Sequence, residues 1–182
     1  LETHTEKSKN TYAHYQTGTK TISFSHKAMA KGQTSGDMSN LHEFSHVASH
    51  EIAHAVHEKL IESDATKTNE FAKMGGWRDT AHIGGQATAR ESSNPVVSKY
   101  AETNPAEHFA ETYSVYFMNK ETIDRALKEK TRMTVIGRNN KFIDPDKAER
   151  LRDQFQWMKT NVFENKKIIK FMQEEFAWVP II

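Results

Sequence analysis

The chain contains no cysteine, which removes a disulfide framework, a thiolate zinc site and a cysteine nucleophile together. Long apolar runs are missing too. Nothing approaches the roughly 20 residues of a membrane span, and no signal-peptide core is visible. Nor does one sign of charge prevail: Lys plus Arg number 25 against 24 Asp plus Glu. No net field therefore draws the chain to nucleic acid or to an anionic membrane. Hydrophobic residues are sparse, 36% of 182, yet the aromatics cluster, and the length suits one domain over 1–182 with a real core. The chain opens on Leu1-Glu2 rather than Met. That opening suggests a module of a longer polypeptide, with further domains as partners. No single compartment follows; secretion, delivery to a host cell and association with a virion would all suit such a module.

What is present is histidine, and four of the ten recur every four residues at His42, His46, His50 and His54. Leu41, Phe44, Ala48, Ile52 and Ala55 recur at steps of three and four without Gly or Pro, which predicts a helix. His50 and His54 then share one face, roughly opposite the apolar stripe. Two imidazoles so placed can share a metal ion, and Glu51 beside them can take a proton from water on that ion. This is the H-E-x-x-H arrangement of zinc peptidases. The same spacing occurs at His42-Glu43-Phe44-Ser45-His46. There, Asn40 as the cap puts Glu43 at the third helical position, where capping explains its carboxylate. Ligands in a fraying first turn would also be poorly held. His50, Glu51 and His54 are therefore the preferred set. His42 and His46 are read as a solvated face or as partners of the ligands.

Along the chain, residues 1–20 form a polar lead-in, a short helix or irregular. Thr21-Ile22-Ser23-Phe24-Ser25-His26 alternates as a strand with one buried face. The motif helix should run to about Ser63, with a polar, turn-like stretch from Asp64 to Asn69. The segment around Gly75–Pro95 lacks a period and reads as a loop able to line a substrate cleft through Trp77 and His82. Beyond about Arg125 a helical tail is expected, with one helix starting at Asp144-Pro145 and a last amphipathic stretch through Ile168 and Phe176.

The second anchor is Asn104-Pro105-Ala106-Glu107, which reads as a cap, Pro in the first helical position and Glu in the third. The helix that follows is apolar around most of its circumference and should be buried. Glu107 and Glu111 nevertheless stack one turn apart, a like-charge pair that disfavours a helix. A metal ligated by Glu107, with Glu111 accepting a hydrogen bond from the outer nitrogen of a ligating histidine, resolves that conflict. The bland alternative has Glu107 completing a capping box and Glu111 facing solvent. A metzincin is excluded, since His57 and Leu60 stand where its Gly and third His would be.

The stretch from Ser98 through Tyr100 and Glu107 to Phe109-Ala110-Glu111 resembles the anthrax lethal factor catalytic domain family of gluzincin zinc metallopeptidases. Pro-Pro endopeptidases of the same broad group are similar at motif level. The likeness covers about residues 15–120. It departs at His108, where the family tends to be aromatic, and in the loop at Gly75–Pro95, so substrate specificity is not carried over. The resemblance implies an α+β, zincin-like domain, mostly helical, with a small sheet whose edge strand borders the motif helix. It also implies one zinc per chain on His50, His54 and Glu107, and Tyr100 assisting the transition state. The expected function is a zinc-dependent endopeptidase acting through metal-activated water, with Glu51 as base and a protein or peptide extended along Ile22, Ser23 and Phe24. An inactive zincin-fold binding module and a zinc hydrolase on a non-peptide substrate are the alternatives.

Overall fold

The computed structural model describes residues 12–25, 38–78 and 90–176. His82, offered above as a cleft residue, lies outside them. Two short antiparallel strands, β1 (Ala13–Gln16) and β2 (Thr21–Phe24), pair with Ala13 opposite Phe24 and Gln16 opposite Thr21. The second strand falls where alternation predicts one. The first replaces the helical or irregular lead-in, because Ala13 and Tyr15 turn inward while His14 and Gln16 remain exposed.

The motif helix α1 (Met38–Met74) is longer than its pattern suggests. It begins before Asn40, so that residue lies in its first turn rather than capping it. Near the expected end at Ser63, only Asp64 leaves helical geometry (φ −165°, ψ 87°). Its carboxylate then accepts the Thr66 backbone N–H at 3.1 Å, starting a second helical segment instead of a turn. The polar stretch after Asp64 is therefore helix. Beyond Met74 the chain turns through Gly75-Gly76. A Cβ on Gly75 would sit 2.4 Å from Cε1 of His108, and Gly76 has φ +84°. The first glycine is required by close packing and the second by backbone conformation.

A 3₁₀ turn (Tyr100–Glu102) leads into α2 (Pro105–Met118). Asn104 caps α2 by accepting the Glu107 N–H at 2.9 Å, with Pro105 in the first turn. The helix is buried on nearly every side. One flank packs on α1, and the other is covered by the tail: α3 (Lys120–Glu129), α4 (Pro145–Arg150), α5 (Arg152–Met158), a π-helical turn (Lys159–Phe163) and α6 (Lys166–Phe176). Phe71, Phe109 and Trp157 form an aromatic centre, with Phe71 5.5 Å from Phe109 and 4.9 Å from Trp157 between ring centroids. Each such ring contributes roughly 1.5–3 kcal/mol through burial. The packing clamps α1 against α2, and the site lies along that seam. The protein is mostly helical with a small two-stranded sheet, consistent with an α+β class. No helix among the described residues is long and apolar enough to cross a membrane.

Candidate metal centre

His50 and His54 project from the middle of α1, one turn apart, with their Nε2 atoms 3.2 Å from each other. At that distance the two nitrogens either share a hydrogen or hold a common cation. Glu107, in the first turn of α2, brings its Oε2 to 2.9 Å from Nε2 of His50 and 3.6 Å from Nε2 of His54. A tetrahedral zinc ion with bonds of about 2.05 Å requires donors about 3.3 Å apart. The three atoms therefore suit such an ion, and the donor set of two imidazoles and one carboxylate is one that zinc accepts.

Glu111 lies one turn further along α2 and is 1% exposed. Its Oε1 lies 2.9 Å from Nδ1 of His50 and 3.0 Å from Nε2 of His46, and its Oε2 accepts the Ser98 hydroxyl at 2.6 Å. Both carboxylate oxygens are thus engaged. The contact at Nδ1 favours a proton there, so that Nε2, which points at Glu107 and His54, is the nitrogen able to bind an ion. The helix tolerates its stacked glutamates because each faces imidazoles rather than its twin.

The electrostatics follow from this pairing. Burial disfavours charge on Glu107, but hydrogen bonds from His50 and His54 outweigh it and hold the carboxyl down at about 2. Burial likewise opposes charge on Glu111, and its bonds with His46 and His50 again prevail, well below the usual range. For His50, burial would lower the pKa, yet the two glutamates raise it to about 9. A proton on His50 thus bridges these two carboxylates. Glu51 differs. Burial raises its carboxyl, with His50, His54 and the Tyr15 backbone pulling the other way.

An open cleft runs past this group, with Glu51, His50 and Tyr100 on its wall. The Tyr100 ring lies 5.8 Å from that of His50, and the residue is 45% exposed. Burial and the neighbouring glutamates raise its pKa, which keeps the hydroxyl protonated as a donor at neutral pH. The strand side of the cleft comes from Tyr12 and Ala13, next to and within β1. Ile22, Ser23 and Phe24 are half-buried on β2, where the Phe24 ring meets Phe44 at 5.6 Å. Trp77 is 2% exposed, under the guanidinium of Arg90 and away from the cleft wall.

Of the remaining histidines, His46 is 2% exposed and contacts Glu111 at 3.0 Å, so it does not lie on a solvated face. The four-residue ladder was its signal in the sequence. His57 stacks on Phe109 at 4.6 Å between centroids, and His108 lies 2.9 Å from Gln154 Oε1. Both are packing elements. Ser98 and Arg138, which also lines the cleft, come from segments whose composition carries no metal-site pattern.

Compared with known proteins, residues 4–179 match the model of a family described as "Putative zinc-binding metallo-peptidase". No curated protein and no solved structure matches.

Proposed function

The chain belongs to the "Putative zinc-binding metallo-peptidase" family, and on that premise we propose that it is a zinc-dependent endopeptidase of the gluzincin type. The observation that carries the reading is the meeting of His50, His54 and Glu107 within 3.6 Å across two helices, beside a cleft lined by Glu51 and Tyr100. His50, His54 and Glu107 would hold the ion. When bound, zinc supplies Lewis acidity, which acidifies water and polarises a carbonyl.

The chain's own groups do the rest. Glu51 accepts the proton of the attacking water and passes it to the leaving amine nitrogen. Its raised pKa brings base and acid roles closer to neutral pH. Tyr100 donates its hydroxyl hydrogen to the carbonyl oxygen as negative charge develops there. Glu111, braced by His46 and Ser98, keeps the His50 ring in its orientation. An extended peptide would lie beside the small sheet and gain main-chain hydrogen bonds from it. The likeness to lethal factor-type catalytic domains belongs to this proposal, as does the peptide substrate class.

The test is a pair of measurements on Glu51→Gln. Zinc content should stay near one ion per chain, and cleavage of a peptide mixture should fall by roughly 10²–10⁴-fold. Undiminished cleavage would remove Glu51 from the reaction. Chelator-insensitive cleavage by the parent protein would remove the metal.

A further inference from the structure

Residues 136–142 form a tight hairpin that faces the cleft. Ile136 bridges Phe142, and the Gly137 N–H donates to the Lys141 carbonyl at 2.7 Å. Asn140 takes the left-handed conformation at φ +56°, which asparagine tolerates better than most residues. Asn119, at the C-terminal end of α2, fastens this hairpin twice. Its amide nitrogen donates to the Ile136 carbonyl at 2.7 Å, and its amide oxygen accepts the Ile136 N–H at 3.2 Å. The helix that carries Glu107 and Glu111 therefore also sets the position of the hairpin.

At its tip the 3₁₀ turn Arg138–Asn140 presents Arg138 to the cleft, which Glu51 and His50 also line. Its guanidinium carbon lies 5.7 Å from the centre of the Tyr100 ring, within cation–π range. The residue is half-buried. Two other half-buried cations each have a carboxylate: Arg90 meets Glu102 at 3.3 Å and Lys159 meets Asp124 at 3.2 Å. Arg138 forms no ion pair with any of the described residues. Within the cleft, Glu111 is already engaged by His46, His50 and Ser98. A partly desolvated guanidinium held beside the reacting groups, whose planar fork of N–H donors meets no carboxylate among the described residues, matches one chemistry best, that of a carboxylate.

We propose that Arg138 binds a carboxylate of the peptide substrate, either an acidic side chain flanking the scissile bond or a free C-terminus, and so determines which peptides the cleft accepts. The inference rests on the peptidase reading, but it concerns a different residue and can be measured by binding alone. Tyr100 supplies the floor of this subsite through its ring and serves the scissile carbonyl through its hydroxyl. Carboxylate recognition and reaction are thereby placed side by side.

The experiment uses zinc-loaded Glu51→Gln protein, immobilised, and four pools of random decapeptides. Two pools fix Asp or Glu at the centre and two fix Asn or Gln, each pair being made with a free C-terminal acid and with an amide. Retained peptides are counted by mass spectrometry. Pools bearing the recognised carboxylate should be retained about 10-fold or more over their amide counterparts. The pair that shows the difference tells side chain from terminus. Adding Arg138→Gln should bring that ratio close to one, and Arg138→Glu should invert it. Arg138→Lys, which keeps charge without the fork, should leave a reduced preference. Equal retention of the paired pools, or a preference that survives Arg138→Gln, overturns the proposal. Cleavage by the parent protein without carboxylate preference also overturns it and leaves the peptidase reading intact. Arg138-dependent retention by a protein that cleaves none of the pools supports the subsite and overturns the peptidase reading instead.

Discussion

Nδ1 of His50 and Oε1 of Glu111 lie 2.9 Å apart, joining the middle of α1 to the buried core of α2. This contact aims His50 at Glu107 and His54, and it is made by a carboxylate with no remaining access to solvent. Glu111→Gln keeps the size but removes the charge that stabilises the Nδ1–H. Zinc affinity should fall by about 10–100-fold, read by competition with a chromophoric chelator. Unchanged affinity would make Glu111 a packing residue.

Tyr100→Phe removes one hydroxyl from a ring that is nearly half exposed and coordinates nothing in the proposed donor set. Turnover should fall by about 10²–10³-fold, as for loss of one oxyanion donor, with KM and zinc content little changed. Loss of zinc in this variant would point instead to a structural role through its contact with His50.

His57 predicts an acid-sensitive fold. It is 4% exposed, its Nδ1 has no hydrogen-bond partner among the described residues, and burial lowers its pKa from 6.5 to about 3. With the folded value below the unfolded one, the unfolded chain binds more protons between those two pH values. Stability is therefore full above about pH 6.5 and declines as the pH falls towards 3. At pH 5.5 the loss amounts to about 1 kcal/mol. His57→Phe keeps the stack on Phe109 without titrating, so thermal melts at pH 7 and pH 5.5 should differ less than in the parent. An identical acid shift in both proteins would acquit His57.

Gly75→Ala should destabilise the fold by about 1–3 kcal/mol, because the new methyl would meet the His108 ring at 2.4 Å, and that ring is itself held by Gln154. The check is the midpoint of urea unfolding. Gly18→Ala, whose added carbon meets nothing within 4 Å among the described residues, is the control and should not lower it comparably.

Much of the local structure was legible because it rests on short-range rules. The four-residue spacing of His50 and His54 dictates a shared face once the segment is helical. Asn104-Pro105 announces the start of α2 through a cap and a fixed φ. The stacked Glu107 and Glu111 flagged an unsolved electrostatic conflict in an apolar helix. Where the reading failed, the deciding force was not local. β1 needs the pairing of Ala13 with Phe24 and the packing of the ribbon on α1. The helix beyond Asp64 survives a polar composition because Phe71 and Ala72 are buried in the common core.

By itself, the sequence determined which donor types could converge, and it excluded thiolate chemistry, a strong charge field and a membrane-spanning run. Those conclusions depend only on composition and helical period. Only the tertiary structure decided that Glu107 completes the group with His50 and His54, that His46 and Ser98 fix Glu111, and that Arg138 stands at the cleft. Each of these meetings is between residues far apart in the chain. Such distances are set by how buried side chains fill the space between α1, α2 and the tail, which no local pattern records.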